Sequence, residues 1–549
     1  MGLMRRMIVI ASLLGCLAMS PARAQEAAPK LIVAISVDQF SANLFEEWRP
    51  RFTGGLKRLS GGIVYPSGYQ SHAATETCPG HSTLLTGRHP NKTGIVGNTM
   101  RDEETGKPVY CLDDPGVVLA HDPAARAVGP KRLMVDTLGE WLKASSPASR
   151  VVAVSGKDRG AINLAGHRPD GVFWMFPGYG FTTYIAPGGD PAQALGPVAA
   201  LNASLAATWR KPPPWTYAHP DCRAAEADWT VGDQPFASRV PPAGYAAQPA
   251  AFAQSVMASP LNDEMTLAGA RRLIEHYKLG RSTGTDLLAV SFSGTDTVGH
   301  AFGTRGPEMC EQLHRLDKAI GALLADLDRL GIAYLVVLSA DHGGSDLVER
   351  LAVQGYPADR FKGDGGFKQM NDAVMAETGT TTAPFTGSID EPALAPTVLA
   401  ADRPRMLAAA KRALARNNNV VAAFTLDEIL ATPTARGKAP DELTLQERFA
   451  RSAFRGRSGD LLVALRPYTA PPANPGYRAG HGSPWNYDRR VPVLFWWKQA
   501  PAQTRFLPVE TVDIAPTLAA TLGVTPPADV DGRCLPLPGL RPCPVPASR

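Results

Sequence analysis

Past its first two dozen residues the chain has no apolar run long enough to span a bilayer, so nothing in the bulk of the sequence reads as a membrane helix. No P-loop, HExxH or EF-hand pattern occurs. The usual marks of nucleotide-triphosphate, zinc-protease and calcium-loop chemistry are therefore missing. No internal repeat is apparent, which excludes solenoids and propellers. Cysteine is sparse, at 7 in 549 residues, too few for the disulfide framework that replaces a core in small secreted domains. A strong excess of charge is also absent. The formal net charge of +5 gives no general electrostatic case for nucleic acid or a membrane surface.

What is present begins with a leader. Arg5 and Arg6 precede an apolar run over 7–19, and Ala22-Arg23-Ala24 is a small-x-small cleavage site. The expectation is a signal peptide over 1–24, cleaved after Ala24, and a periplasmic or secreted protein. Leu14-Gly15-Cys16 offers the rival of a lipidated Cys16, but that cysteine lies inside the apolar run rather than at its end. Cleavage removes three arginines and no acid, so +5 becomes +2. Six cysteines remain, and Cys534 and Cys543, the most local pair, are expected to bridge. The remaining length suits one catalytic domain, 25–549, with substantial insertions.

Leu31–Val37, Val151–Ser155, Asp286–Ser293 and Ala333–Ser339 are short apolar runs that read as strands buried on both faces, hence a largely parallel sheet covered by helices. Val135, Leu138, Trp141 and Leu142 mark one helix face, and Met309 to Leu330 carries a long helical stripe. Asn262 is expected to cap a helix running to about Leu279. Residues 403–416 and 511–522 read as helices, with strands at Asp460–Leu465 and Val491–Trp497. Two regions, about 160–262 and about 350–480, are irregular and are expected as insertions over the core. Alternating strands and helices indicate an α/β fold.

The chemistry centres on Thr75–Thr86, TETCPGHSTLLT. Pro79 fits the first turn of a helix and Thr77 the position before it, where a hydroxyl faces the positive end of the helix dipole. Read alone, Thr77 is a helix cap. Three of the apolar runs, however, lead into an acid: Asp38, Asp296 and Asp341. In open α/β sheets the ligand site lies beyond the carboxyl ends of the strands, so these side chains can converge. His300 is four residues past Asp296, on the same side of a helical turn, and His342 follows Asp341. Aspartate and histidine without a cysteine cluster suit zinc, and two ions with open positions could activate Thr77 as a nucleophile.

The order Asp38, Thr77-Cys78-Pro79-Gly80-His81, Asp296 with His300, Asp341-His342 and Gly480-His481-Gly482 resembles the alkaline phosphatase superfamily. It is most similar to exported bacterial alkaline phosphatases with a threonine nucleophile, related to nucleotide pyrophosphatases/phosphodiesterases. The resemblance implies an alkaline-phosphatase-like core with cap regions and two Zn2+ per chain, and it is compatible with Ca2+. One zinc site would use Asp38, Thr77, Asp341 and His342, the other Asp296, His300 and His481. Asn98, Lys157 and Arg159 would hold the phosphoryl oxygens: a neutral donor, a point charge and a rigid fork. Sulfatases carry a Cys- or Ser-x-Pro-x-Arg motif, and here Pro79 follows Cys78 directly with no matching arginine. The other histidines, including His72, His81, His89, His121 and His167, are read as packing or surface residues.

The leading expectation is a phosphomonoesterase acting on small phosphate esters through a phosphothreonine. A phosphodiesterase on the same scaffold is the alternative, and an inactive phosphate-ester-binding protein is a third. No nucleic-acid-specific partner and no stable membrane insertion are expected.

Overall fold

A strand buried on both faces needs a nearly unbroken run of apolar side chains, and Leu31–Val37 supplies it at every position but Ser36. It lies at the centre of the sheet in the computed structural model, which describes residues 28–544 apart from 212, 243, 244, 246–248 and 434–436. The leader, its cleavage site and Cys16 lie outside the described residues. Ten strands form one sheet: β1 Leu31–Val37, β2 Ile63–Tyr69, β3 Val151–Ser155, β4 Gly171–Phe176, β5 Gly180–Thr182, β6 Asp286–Phe292, β7 Tyr334–Ser339, β8 Arg490–Trp497, β9 Gln503–Thr504 and β10 Val509–Glu510. Their spatial order is β9-β2-β8-β7-β1-β6-β3-β4-β5, with β10 also paired to β2. The central strands are parallel, Ile35 sitting between Val290 of β6 and Leu338 of β7. Only β8, antiparallel to both β7 and β2, and the edge strand β5 run against this direction.

The helices that concern the site are α1 Thr77–Thr86, α2 Leu138–Ser145, α3 Asp158–Ala165, α4 Leu261–His276, α5 Gly294–Phe302, α6 Pro307–Arg329 and α7 Ile514–Leu522. Successive strand side chains point to opposite faces. Val33, Ile35 and Val37 accordingly join one apolar layer with α4 and α6, while Ile32 and Ala34 join the other with α1, α2, α3 and α7. The stripe on α6 is buried as its spacing predicts: Leu313, Leu316, Ile320, Leu323 and Leu327 are all fully covered. Each such side chain contributes about 1.5–3 kcal/mol of burial. Thr137 caps α2, closing a capping box with Glu140.

Three local readings change. Thr77 is the first residue of α1 and Glu76 occupies the cap position, without a side-chain cap bond. Asn262 lies inside α4, which starts at Leu261. Its amide donates to the Met257 carbonyl of the preceding segment instead of capping. The region from 160 is not wholly an insertion over the core, because β4 and β5 extend the sheet before the chain leaves it. Residues beyond 350 carry a small apolar cluster of their own around Val374, Ala410 and Leu414. Three disulfides are present, Cys78–Cys111, Cys222–Cys310 and Cys534–Cys543.

Candidate active site

Four parallel strands deliver the charged residues at their carboxyl ends. Asp38 directly follows β1, Lys157 and Arg159 follow β3, Asp296 sits on α5 just past β6, and Asp341 lies two residues beyond β7. Helix α1 approaches these ends from β2. A Cβ placed on Gly80 would lie 1.9 Å from the backbone oxygen of Asp341, so only glycine allows α1 this close. That contact brings Thr77 Oγ1 to 3.5 Å from His342 Nε2.

The donor atoms suit cations. Asp296, His342 and His481 form one triad of ligand atoms within 4.8 Å of one another, and Asp38, His81 and Asp341 form a second. His300, His342 and His481 each use Nδ1 to bond a backbone carbonyl, those of Ala479, Gly343 and Thr75, all at 2.8 Å. A carbonyl cannot donate, so Nδ1 carries a proton and Nε2 is the atom that each ring turns to the site. This second bond is the usual support of a metal-ligating histidine. The Nε2 atoms of His300 and His481 are 3.2 Å apart, and both lie within 3.3 Å of Asp296 Oδ1. Asp38 Oδ2, Asp296 Oδ1 and Asp341 Oδ2 are buried with no hydrogen-bond partner, although Asp38 Oδ2 lies 3.0 Å from Lys157 Nζ. Buried carboxylate oxygens beside imidazole Nε2 atoms are a donor set that fits divalent cations well.

His342 bridges the two donor groups. The resemblance assigns it to the set of Asp38, Thr77 and Asp341, and its Nε2 does lie 3.1 Å from Asp341 Oδ2. The same ring stacks on His481 with centroids 3.6 Å apart and belongs to the triad with Asp296.

His81, read from sequence as a packing or surface residue, is instead fully buried between two of the acids. It lies 3.3 Å from Asp38 Oδ1 and 3.3 Å from Asp341 Oδ2, and its Nδ1 is bonded to the Thr77 carbonyl at 2.9 Å. The available signal was its spacing, four residues after Thr77 on the same helix, where Nδ1 reaches back one turn. Gln39 was also missed. It adopts a positive φ of 60° and donates its backbone N–H to Asp341 Oδ1 at 3.1 Å, turning the other oxygen toward the site.

Burial alone would raise all three carboxyls. Lys157 holds Asp38 and Asp296 below the usual carboxylate range, and His342 with His81 does the same for Asp341. Burial would lower His81, yet Asp341 and Asp38 raise it to about 10. His481 goes the other way, pushed by burial and by His342 down to about 4.

Asn98 Oδ1 accepts the Cys78 N–H at 2.8 Å, which ties its side chain to the first turn of α1. Its own backbone N–H goes to the buried Glu76 carboxylate. Lys157 Nζ is bonded to both Asp296 and Asp38. Arg159 Nη1 lies 3.5 Å from Tyr110 Oη, itself bonded to Asp158 at 2.8 Å. Every residue singled out from the sequence therefore lies at the strand ends, around the start of α1, or on the loop bearing His481.

Comparisons with known proteins point the same way. The family model described as type I phosphodiesterase / nucleotide pyrophosphatase matches residues 32–485. Alkaline phosphatase PhoK of Sphingomonas sp. is 41% identical over 521 residues, covering 93% of this chain and 91% of its own. Alkaline phosphatase PhoD of Zymomonas mobilis is 38% identical over 525 residues, covering 92% and 88%. The crystal structure of wild type alkaline phosphatase PafA shares the fold, with a TM-score of 0.81 at 24% identity over 93% of this chain and 99% of that one.

Proposed function

The chain belongs to the type I phosphodiesterase / nucleotide pyrophosphatase family, within the alkaline phosphatase superfamily, and from that premise we propose that this phosphoric ester hydrolase is an exported, zinc-dependent phosphomonoesterase with Thr77 as its nucleophile. One observation carries the reading: the Thr77 hydroxyl sits at the amino end of α1, 3.5 Å from the Nε2 of His342, a ring that forms one donor triad with Asp296 and His481 and lies 3.1 Å from Asp341.

Asp38, Asp341 and His342, with Thr77, would hold one Zn2+, and Asp296, His300 and His481 the other. Such ions supply Lewis acidity, lowering the pKa of an alcohol or water and stabilising a leaving oxygen. The rest is done by the chain. The start of α1 directs backbone N–H groups and its positive dipole end toward the Thr77 oxygen and an incoming phosphoryl group. Thr77 attacks in line, the P–O bond to the alcohol breaks, and water later cleaves the phosphothreonine to release inorganic phosphate. Asn98, Lys157 and Arg159 orient the non-bridging oxygens.

Acid-quenched enzyme should carry phosphate on Thr77 by mass spectrometry. Thr77→Ala should lower kcat/KM at least about 1,000-fold with metal content unchanged, while Thr77→Ser keeps an appreciable fraction. Phosphate trapped on another residue would sink the assignment. Chelation should inactivate the protein and zinc restore it.

The family description favours a second reading, a phosphodiesterase. Two Zn2+, three aspartates and a Thr77 alkoxide sum to a charge of about zero, so Lys157 and Arg159 supply the positive charge that matches a monoester dianion. A diester carries one negative charge fewer. With esters of one leaving group, Lys157→Ala plus Arg159→Ala should lower monoester kcat/KM by tens- to hundredfold more than diester kcat/KM. Equal losses on the two substrates would favour the diesterase.

A further inference from the structure

A cavity of about 580 Å³ has His300 in its wall. Its wall is built from rings: Trp215, Phe236, Tyr245, Phe302 and Tyr477. Most come from segments that the sheet does not need, Trp215 to Tyr245 from the region before α4 and Tyr477 from the loop that carries His481. The rings brace one another. Trp215 meets Tyr245 edge-on at 5.7 Å and Phe302 at 6.1 Å, and Phe236 stacks on Phe302 at 6.4 Å. Tyr477 stacks on the His300 imidazole at 4.5 Å, so the cavity and the donor set share a side chain.

The wall also limits what can enter. Among its described residues none is acidic, and the single guanidinium, Arg478, is already engaged. It lies 4.6 Å over the Phe236 ring and its Nη1 donates to the Ala301 and Pro475 carbonyls. The volume is that of a small-molecule site, and braced aromatic walls favour a flat ring in offset or edge-on contact.

We propose that this cavity receives the alcohol portion of the substrate and selects phosphate esters whose alcohol bears a flat aromatic ring. The inference rests on the phosphatase reading above, in which Thr77 belongs to one donor set and His300 to the other, the one left to face the departing oxygen. A ring placed here gains contact in both the ground and the transition state, so its signature is a difference in kcat/KM between esters of equal chemical reactivity.

The test therefore holds the departing oxygen constant. Adenosine 5′-monophosphate is compared with ribose 5-phosphate, and benzyl phosphate with cyclohexylmethyl phosphate; each pair loses a primary alkoxide and differs in the ring. The expected result is a preference of about 10- to 100-fold for the ring-bearing member of at least one pair. The pair that shows it tells a nucleobase from a simple aryl group. Ala237 lines the cavity from an exposed position on a short hairpin, so Ala237→Trp should fill it. That variant should abolish the preference, bringing the ring-bearing and ringless members of the pair to equal kcat/KM. Independently of turnover, benzylphosphonate should perturb the fluorescence of wild type more than of Trp215→Phe, whereas methylphosphonate should perturb neither. Equal kcat/KM within both pairs, with the ringless esters turned over, would overturn the cavity assignment and leave the phosphatase reading intact. Failure to hydrolyse any of the four esters would overturn both.

Discussion

Gly80 shows how finely the reacting centre is placed by a residue with no chemistry of its own. Adding one methyl group forces it into the Asp341 backbone at 1.9 Å, and neither partner is a flexible side chain. Overpacking of this kind costs about 1–3 kcal/mol. Because it pushes α1 off the strand end, activity should suffer more than stability. Gly80→Ala should lose about 100-fold or more in kcat/KM, read beside its melting temperature. Wild-type kinetics in this variant would show that the close approach is incidental. This residue-level detail was invisible in the sequence, where Gly80 is one glycine among 52. His81 was visible and read as packing or surface; its place between the distant carboxylates of Asp38 and Asp341 shows only in the fold. By contrast, Asp38 and Asp341 were legible because each follows a largely apolar run, a pattern that places the acid at the mouth of a parallel sheet.

At the scale of elements, the long helix α6 begins with a buried acid. Burial raises the Glu308 carboxyl to about 7, although Ser238 Oγ and the Arg239 N–H donate to it at 2.8 and 2.9 Å. A carboxyl raised from an ordinary value near 4.5 binds its proton in the folded state while the unfolded chain has released it. Its contribution is therefore full below about pH 4.5, falls as pH rises, and is gone above about pH 7. Glu308→Gln keeps the shape and can still serve both partners without ionising. The variant should match wild type near pH 4.5 and exceed it above pH 7 by on the order of 1–3 kcal/mol. Urea denaturation at pH 5 and pH 8 measures this, and an equal offset at both pH values would show that Glu308 is already ionised in the fold. Helix α6 itself was readable from its stripe. The ends of α1 and α4 were not, since Thr77 and Asn262 look like caps in sequence and act otherwise in the fold. Tertiary partners, the site for Thr77 and the Met257 carbonyl for Asn262, outweigh the local preference.

For the molecule as a whole, the disulfides differ most in the length of chain they close. Cys222–Cys310 spans 88 residues and ties the aromatic-rich segment to α6, whereas Cys534–Cys543 spans 9. In the chain-entropy account the longer loop is worth about 2 kcal/mol more. Cys222→Ala plus Cys310→Ala should therefore lower the unfolding free energy by about 2 kcal/mol more than Cys534→Ala plus Cys543→Ala. Comparable urea midpoints for the two pairs would contradict it. Only the local pair was legible in the sequence, because proximity along the chain predicts contact and the folding of 222 onto 310 does not show in composition.

The position of β8 also bears on the timing of biosynthesis. This strand lies between β2 and β7, and it follows β1 by about 450 residues. At about 5–20 residues per second, roughly 20–90 s pass after the first strand leaves the ribosome before the one that joins the two halves of the sheet is made. His481 emerges only just ahead of it. A growing chain thus holds Asp38 and Thr77 long before it can complete either the sheet or the histidine set, which exists in full only when nearly nine-tenths of the chain has been made.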